Sequence, residues 1–313
     1  MTAGSAGGAA DPLTQVASWP VTAAVAVIDA RGSVRSTGPA GDPFAWASLT
    51  KLLAGLAVLV AVEEGTVSLE DPAGPEGSTL RHLLAHASGL APDDERVLAP
   101  PATRRIYSNR GIELALDHVA AAAPMPWEEY LSAGVLEPLG LSGTTVAGSP
   151  AYGATGPLTD LVRLAREWQR PTLISPATWA TATTAAWPGL PGVLPGFGRQ
   201  AANDWGLGVE IRAHKEPHWT GRRNSPATFG HFGRAGSFLW VDPAIGWACC
   251  GLADTAFGDW AARAWPALSD AIVAEATVAE ATAAEATASG STVAESRAAG
   301  EASPALRAPR TRG

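Results

Sequence analysis

Trp46-Ala47-Ser48-Leu49-Thr50-Lys51, followed by the apolar run Leu52 to Val62, is the stretch around which this chain is organised. Lys and Arg together number 22, yet only positions 51 and 215 are lysine, so a strong bias toward arginine spares position 51. Arginine stays protonated at any working pH, whereas burial can depress a lysine until it serves as a base. A serine three residues before such a lysine lies on the same helical face and within its reach. That spacing is one way to activate a hydroxyl nucleophile. The run behind it has almost no polar face, which predicts a helix buried all round until Glu63-Glu64-Gly65 ends it.

Upstream of this helix, Val21, Ala23, Val25 and Val27 alternate, Asp29-Ala30-Arg31-Gly32 supplies turn chemistry, and Ser33 to Ser36 continues, which reads as a hairpin opening a sheet. Downstream, helical pieces are expected at Leu80–Ala85, Arg110–Ala123, Trp127–Val135, Leu158–Arg166 and Pro176–Thr183, separated by loops rich in Gly and Pro. Strands are expected at Trp205–Ile211, Ser237–Val241 and Trp247–Leu252, the last two joined by the turn Asp242 to Gly246. Asp259 to Ala274 is amphipathic, with Trp260, Ala264, Leu268 and Ile272 at helical spacing. The expected fold class is therefore α+β: an antiparallel sheet formed from both chain ends with a helical segment, about 78–200, inserted between them. Residues 1–18 are small and polar and are expected to be a flexible N-terminus, 19–273 form the domain, and the Ala/Glu/Thr repeats of 274–313 form a low-complexity tail, helical at most at its start.

Composition excludes several classes. Lys+Arg 22 against Asp+Glu 30 gives a net charge of -8, and no basic run suits a phosphate backbone, so no nucleic-acid partner is expected. Cys249 and Cys250 are adjacent in an expected strand and point to opposite faces, which argues against a disulfide between them. His82 and His86 lack the further ligands a metal site needs, so no metal and no cofactor are expected. The longest apolar stretch is too short to span a bilayer, and Met1 to Ala10 shows no signal-peptide pattern, which makes a cytoplasmic protein without membrane contact the expectation.

Chemistry is carried by two short motifs. Ser48-x-x-Lys51 sits at a helix mouth, and Tyr107-Ser108-Asn109 lies in a loop before a helix. A partly desolvated Lys51 can take the Ser48 proton, Tyr107 can share it or deliver it to a leaving group, and the Asn109 amide can hold both the lysine and a substrate carbonyl. An N-cap serine with a snorkelling lysine, and a tyrosine anchoring a loop, are the bland accounts of either motif alone.

Together these residues resemble the penicillin-recognising serine hydrolases, the family of class C β-lactamases, D-Ala-D-Ala carboxypeptidases and related esterases. Ser48-Leu49-Thr50-Lys51 looks like its Ser-x-x-Lys, Tyr107-Ser108-Asn109 like its Tyr-x-Asn, and His231-Phe232-Gly233 like its Lys/His-Thr-Gly on a sheet edge. Arg81 to Leu90, Glu137-Pro138-Leu139-Gly140-Leu141 and Trp240-Val241-Asp242-Pro243 are similar to further family stretches, so the resemblance covers about 20–272. It implies a β-lactamase/transpeptidase-like fold and an acyl-enzyme on Ser48, with Lys51 and Tyr107 catalytic. It also implies that Asn109, His231, Gly233 and Arg234 meet the substrate, the backbone N–H groups of Ser48 and Arg234 forming the oxyanion hole. His86 and Ser88 read as structural.

Phe232 departs from the family's threonine and removes a hydroxyl that helps hold a substrate carboxylate. With the cytoplasmic expectation, this favours an intracellular esterase or amidase of small-molecule substrates over a β-lactamase or D-Ala-D-Ala carboxypeptidase. A non-catalytic binding module and an acyltransferase are the other readings of the same fold.

Overall fold

The computed structural model describes residues 10–300, with side chains as far as residue 283. The N-terminal hairpin pairs β1 (Ala23–Ile28) with β2 (Val34–Thr37). A short β3 (Phe44–Ala45) and a 3-10 turn (Ala47–Leu49) then lead into α1 (Thr50–Glu63). The insert holds α2 (Leu80–Leu84), α3 (Asn109–Ala122), α4 (Trp127–Leu131), β4 (Thr145–Val146), β5 (Ala154–Gly156), α5 (Leu158–Gln169), α6 (Pro176–Ala182) and the hairpin of β6 (Gly192–Leu194) with β7 (Gly198–Gln200). The chain returns through β8 (Glu210–Ile211), β9 (Phe229–Gly233), β10 (Ser237–Asp242) and β11 (Trp247–Ala253), and α7 (Asp259–Gly300) closes it.

The main sheet is six-stranded and antiparallel in the order β2-β1-β11-β10-β9-β8, so β1 from the N-terminal end lies beside β11 from the C-terminal end. This is the α+β architecture expected from the pattern of elements. Both faces of the central strands are covered, and β10 and β11 are buried along their whole length. On one face Ala24, Ala26, Ile28, Leu239 and Cys250 join the core made with α1, α3 and α5. On the other, Val25, Val27, Trp240 and Cys249 pack with Trp265, Leu268 and Ile272 of α7. The two adjacent cysteines thus point into different cores, and both thiols are free.

Helix α1 is buried over Thr50 to Ala61, as its lack of a polar face requires. One approach to it was invisible in the sequence. Alternation over Trp205–Ile211 predicts a strand, but only Glu210–Ile211 pairs as one. Gly206 to Gly208 instead turn against α1, with Leu207 N–H donating to Ala182 O and Gly208 N–H to Leu84 O. Gly208 has φ +78°, and a Cβ there would lie 3.0 Å from Gly55 Cα and 3.5 Å from the Lys51 carbonyl oxygen. Gly208→Ala is therefore expected to destabilise the fold by about 2 kcal/mol or more in urea denaturation, through left-handed strain and crowding together. A loss below about 0.5 kcal/mol would show that this contact does not constrain the backbone.

The two ends differ from expectation. Pro12–Ser18 is a 3-10 turn rather than a flexible arm, because Leu13 and Val16 are buried against the α7 side of the sheet. Residues 1–9 lie outside the described residues. At the other end α7 does not stop near 274 but runs to Gly300, consistent with the high helix propensity of Ala and Glu. Ala261, Trp265, Leu268, Ile272 and Ala276 form its buried stripe, one position displaced at the start from the expected Trp260 and Ala264. Residues 301–313 of the expected tail lie outside the described residues. The insert is also less purely helical than expected, since β4 to β7 fall within it. Among the described residues, no helix is long and apolar enough to cross a membrane.

Candidate active site

Ser48 sits on the 3-10 turn just ahead of α1, half-buried. Ala47 before it has φ +46°, a left-handed conformation costly for a residue with a Cβ. Neighbouring bonds hold it there. Trp46 N–H donates to Ala154 O at 2.9 Å, its indole donates to Gly156 O at 3.1 Å, and Ser237 Oγ donates to Trp46 O at 2.7 Å.

One turn further on, Lys51 is buried, with Nζ 3.4 Å from Ser48 Oγ, 2.6 Å from Asn109 Oδ1 and 2.9 Å from Ala151 O. Burial pulls its pKa from 10.5 to about 7, against the opposing influence of the Asp93 and Glu113 carboxylates. Tyr107 Oη donates to Ser48 Oγ at 2.7 Å, and its ring centroid lies 4.6 Å from Lys51 Nζ. Burial raises the Tyr107 pKa, so the phenol keeps its proton. A hydroxyl between a near-neutral amine and a protonated phenol can lose its proton to the amine while the phenol steadies the oxygen.

The third wall is the end of β9. Strand β8 pairs only with Phe229 and Gly230, which leaves His231 to Gly233 as an edge on that side. A Cβ at Gly233 would come 3.2 Å from the Ser48 backbone nitrogen, so the absence of a side chain lets these two backbones meet. His231 is buried beside Tyr107, ring centroids 5.8 Å apart, and its Nδ1–H donates to Phe232 O at 2.6 Å. Burial, reinforced by the Lys51 charge, lowers its pKa to about 3. The imidazole is therefore neutral at physiological pH, with Nε2 buried and unpartnered among the described residues. Ser48, Tyr107, Asn109, His231, Phe232 and Arg234 line one cavity of about 950 Å3.

A family model described as Beta-lactamase matches residues 20–272. The chain belongs to the beta-lactamase family. Among solved structures, a beta-lactamase from Mycobacterium bovis is 49% identical, with TM-score 0.84, and the match covers 85% of this chain and 100% of that one. EstCE1, described as a hydrolase with promiscuous acyltransferase activity, has TM-score 0.67 over 83% of this chain and 96% of its own, but at 17% identity it shows the fold alone. The D-alanyl-D-alanine-carboxypeptidase/endopeptidase AmpH of Escherichia coli strain K12 is 26% identical over 141 residues, 33% of this chain and 37% of that relative's length. This beta-lactamase-family chain is thus matched over little more than a third of the length of that curated relative.

Every site residue named from the sequence falls in this region of the beta-lactamase fold. Asn109 Oδ1 accepts from Lys51, while its Nδ2 donates one N–H to Asp93 Oδ1 at 2.7 Å and keeps a second N–H. Asp93 was not legible as a site residue, because Asp93-Asp94-Glu95-Arg96 in a proline-rich loop reads as a solvated surface turn. His86 Nδ1 accepts from Ser108 N–H at 3.2 Å, and its ring packs 4.7 Å from that of Tyr107. Lys215, the other lysine, is also buried, donating to Glu210 at 2.7 Å within a group that includes His218 and Trp219.

Proposed function

We propose that this protein hydrolyses small esters or amides through an acyl-enzyme on Ser48. The observation that carries the reading is the placement of the Ser48 hydroxyl between Lys51, with a pKa of about 7, and the Tyr107 phenol 2.7 Å away. Ser48 Oγ attacks the carbonyl carbon as its proton passes to Lys51 Nζ, and the carbonyl oxygen becomes an oxyanion held by the Ser48 and Arg234 N–H groups. The bond to the leaving group breaks as that group takes a proton from Lys51, with Tyr107 able to relay it. Water then attacks the acyl carbon, giving its proton to Lys51, and Ser48 leaves reprotonated.

Two features favour a general esterase or amidase over a β-lactamase or carboxypeptidase. His231 is neutral, and Phe232 has no hydroxyl, so the β9 edge presents neither a cation nor a hydroxyl donor at these positions for a carboxylate next to the scissile bond. Intact-mass measurement across a panel of esters, amides and β-lactams tests the reading. Ester or amide adducts that form and turn over, and that vanish in Ser48→Ala, are the expected result. Turnover restricted to β-lactams would replace it with the activity named for the Mycobacterium bovis relative.

The Asp93 contact gives a finer prediction. Its carboxylate raises the Lys51 pKa and holds the Asn109 amide. Asp93→Asn keeps an acceptor while removing the charge, so the acid limb of the kcat/KM profile is expected to shift to lower pH. Asp93→Ala is expected to lower kcat about 10-fold as well, because the Asn109 amide loses its orientation. Identical profiles for wild type and both variants would remove Asp93 from the site.

A further inference from the structure

The cavity at Ser48 carries positive charge that the acyl-transfer steps leave unused. Arg104, Arg199 and Arg234 all line it and are exposed, and none forms an ion pair among the described residues. Arg104 makes one side-chain hydrogen bond, to Leu98 O. Arg105, also in the wall, is buried and directs its guanidinium at the carbonyls of Ala85, Ala186, Trp187 and Asn203, so it adds a fixed charge without a carboxylate contact. Burial lowers its pKa only to about 10, which leaves it cationic.

Of the two acids on the cavity, Glu210 is paired with Lys215 and also accepts from His218 and Trp219, which leaves Asp93, held by the neutral Asn109 amide, as a single carboxylate against the three exposed guanidinium groups. A positive mouth on a protein of net charge -8 is selective for anions at short range. Phe232, Phe257 and Leu194 supply an apolar surface in the same cavity.

We propose that the substrate turned over at Ser48 carries a carboxylate or phosphate at the end remote from the reacting carbonyl, received by Arg104 and Arg199. This rests on the hydrolase reading above and adds a substrate class to it. Bidentate guanidinium contacts suit both anions, and the contact weakens as salt screens the exposed charges.

Two matched pairs of esters test it and separate the acyl side from the leaving-group side: mono-4-nitrophenyl adipate against 4-nitrophenyl hexanoate, and the hexanoyl ester of 4-hydroxyphenyl phosphate against phenyl hexanoate. At least one charged member is expected to have a kcat/KM about 30-fold above its neutral partner at low salt, falling several-fold in about 0.5 M NaCl. The double variant Arg104→Ala/Arg199→Ala is expected to lose the preference while its rate on the neutral esters stays within about threefold of wild type. Equal rates within both pairs, or a preference that survives in the double variant, would overturn the proposal and leave the hydrolase reading standing. Absence of turnover with every ester, together with no adduct on Ser48, would overturn both.

Discussion

Replacing Ser48 with alanine is expected to reduce ester hydrolysis by at least about 10^4-fold and to abolish covalent labelling by a fluorophosphonate. The substitution removes one hydroxyl from a half-buried position and leaves the backbone bonds of Trp46 in place. Thermal unfolding should therefore change little, which separates loss of chemistry from loss of fold. The nearest alternative in the motif around His86, Ser88, is buried with its hydroxyl accepting from Leu90 N–H, and is poorly placed to take over. Undiminished labelling of the alanine variant would place the nucleophile elsewhere.

Replacing Lys51 with arginine is expected to lower kcat/KM by about 10^3-fold or more across the neutral range, because a guanidinium stays protonated and cannot accept the Ser48 proton. In the wild type the sign follows from the depressed pKa. Below about 7 Lys51 is protonated and the rate falls roughly tenfold per pH unit, whereas above it the neutral amine is available and the rate levels off. Asp93 and Glu113 face Lys51 as carboxylates, and His86 and His231 as imidazoles that burial keeps neutral, so neither histidine titrates in this window. A wild-type profile flat from about pH 5.5 to 8.5 would rule out Lys51 as the titrating base.

Much of the site was readable because its parts are local. Ser48 and Lys51 lie three residues apart on consecutive turns, so helical spacing alone brings them together. The β1-β2 and β10-β11 hairpins likewise follow from alternation and turn residues close in sequence. Trp205 to Ile211 misled for the same reason. Its alternation is local, but the contact of Gly208 with Gly55 depends on where α1 lies.

The α+β order of elements, the Ser48-Lys51 pair and the three motifs that the cavity collects could all be read along the chain. How they interact came from folding: the contact of Tyr107 with Ser48 across 59 positions, the pairing of Asn109 with Asp93, and the neutral states of His231 and, above about pH 7, Lys51. Periodicity encodes neighbours along the chain, whereas burial and convergence of distant loops set the local dielectric and the hydrogen-bond partners. Those two quantities exist only once the chain has folded.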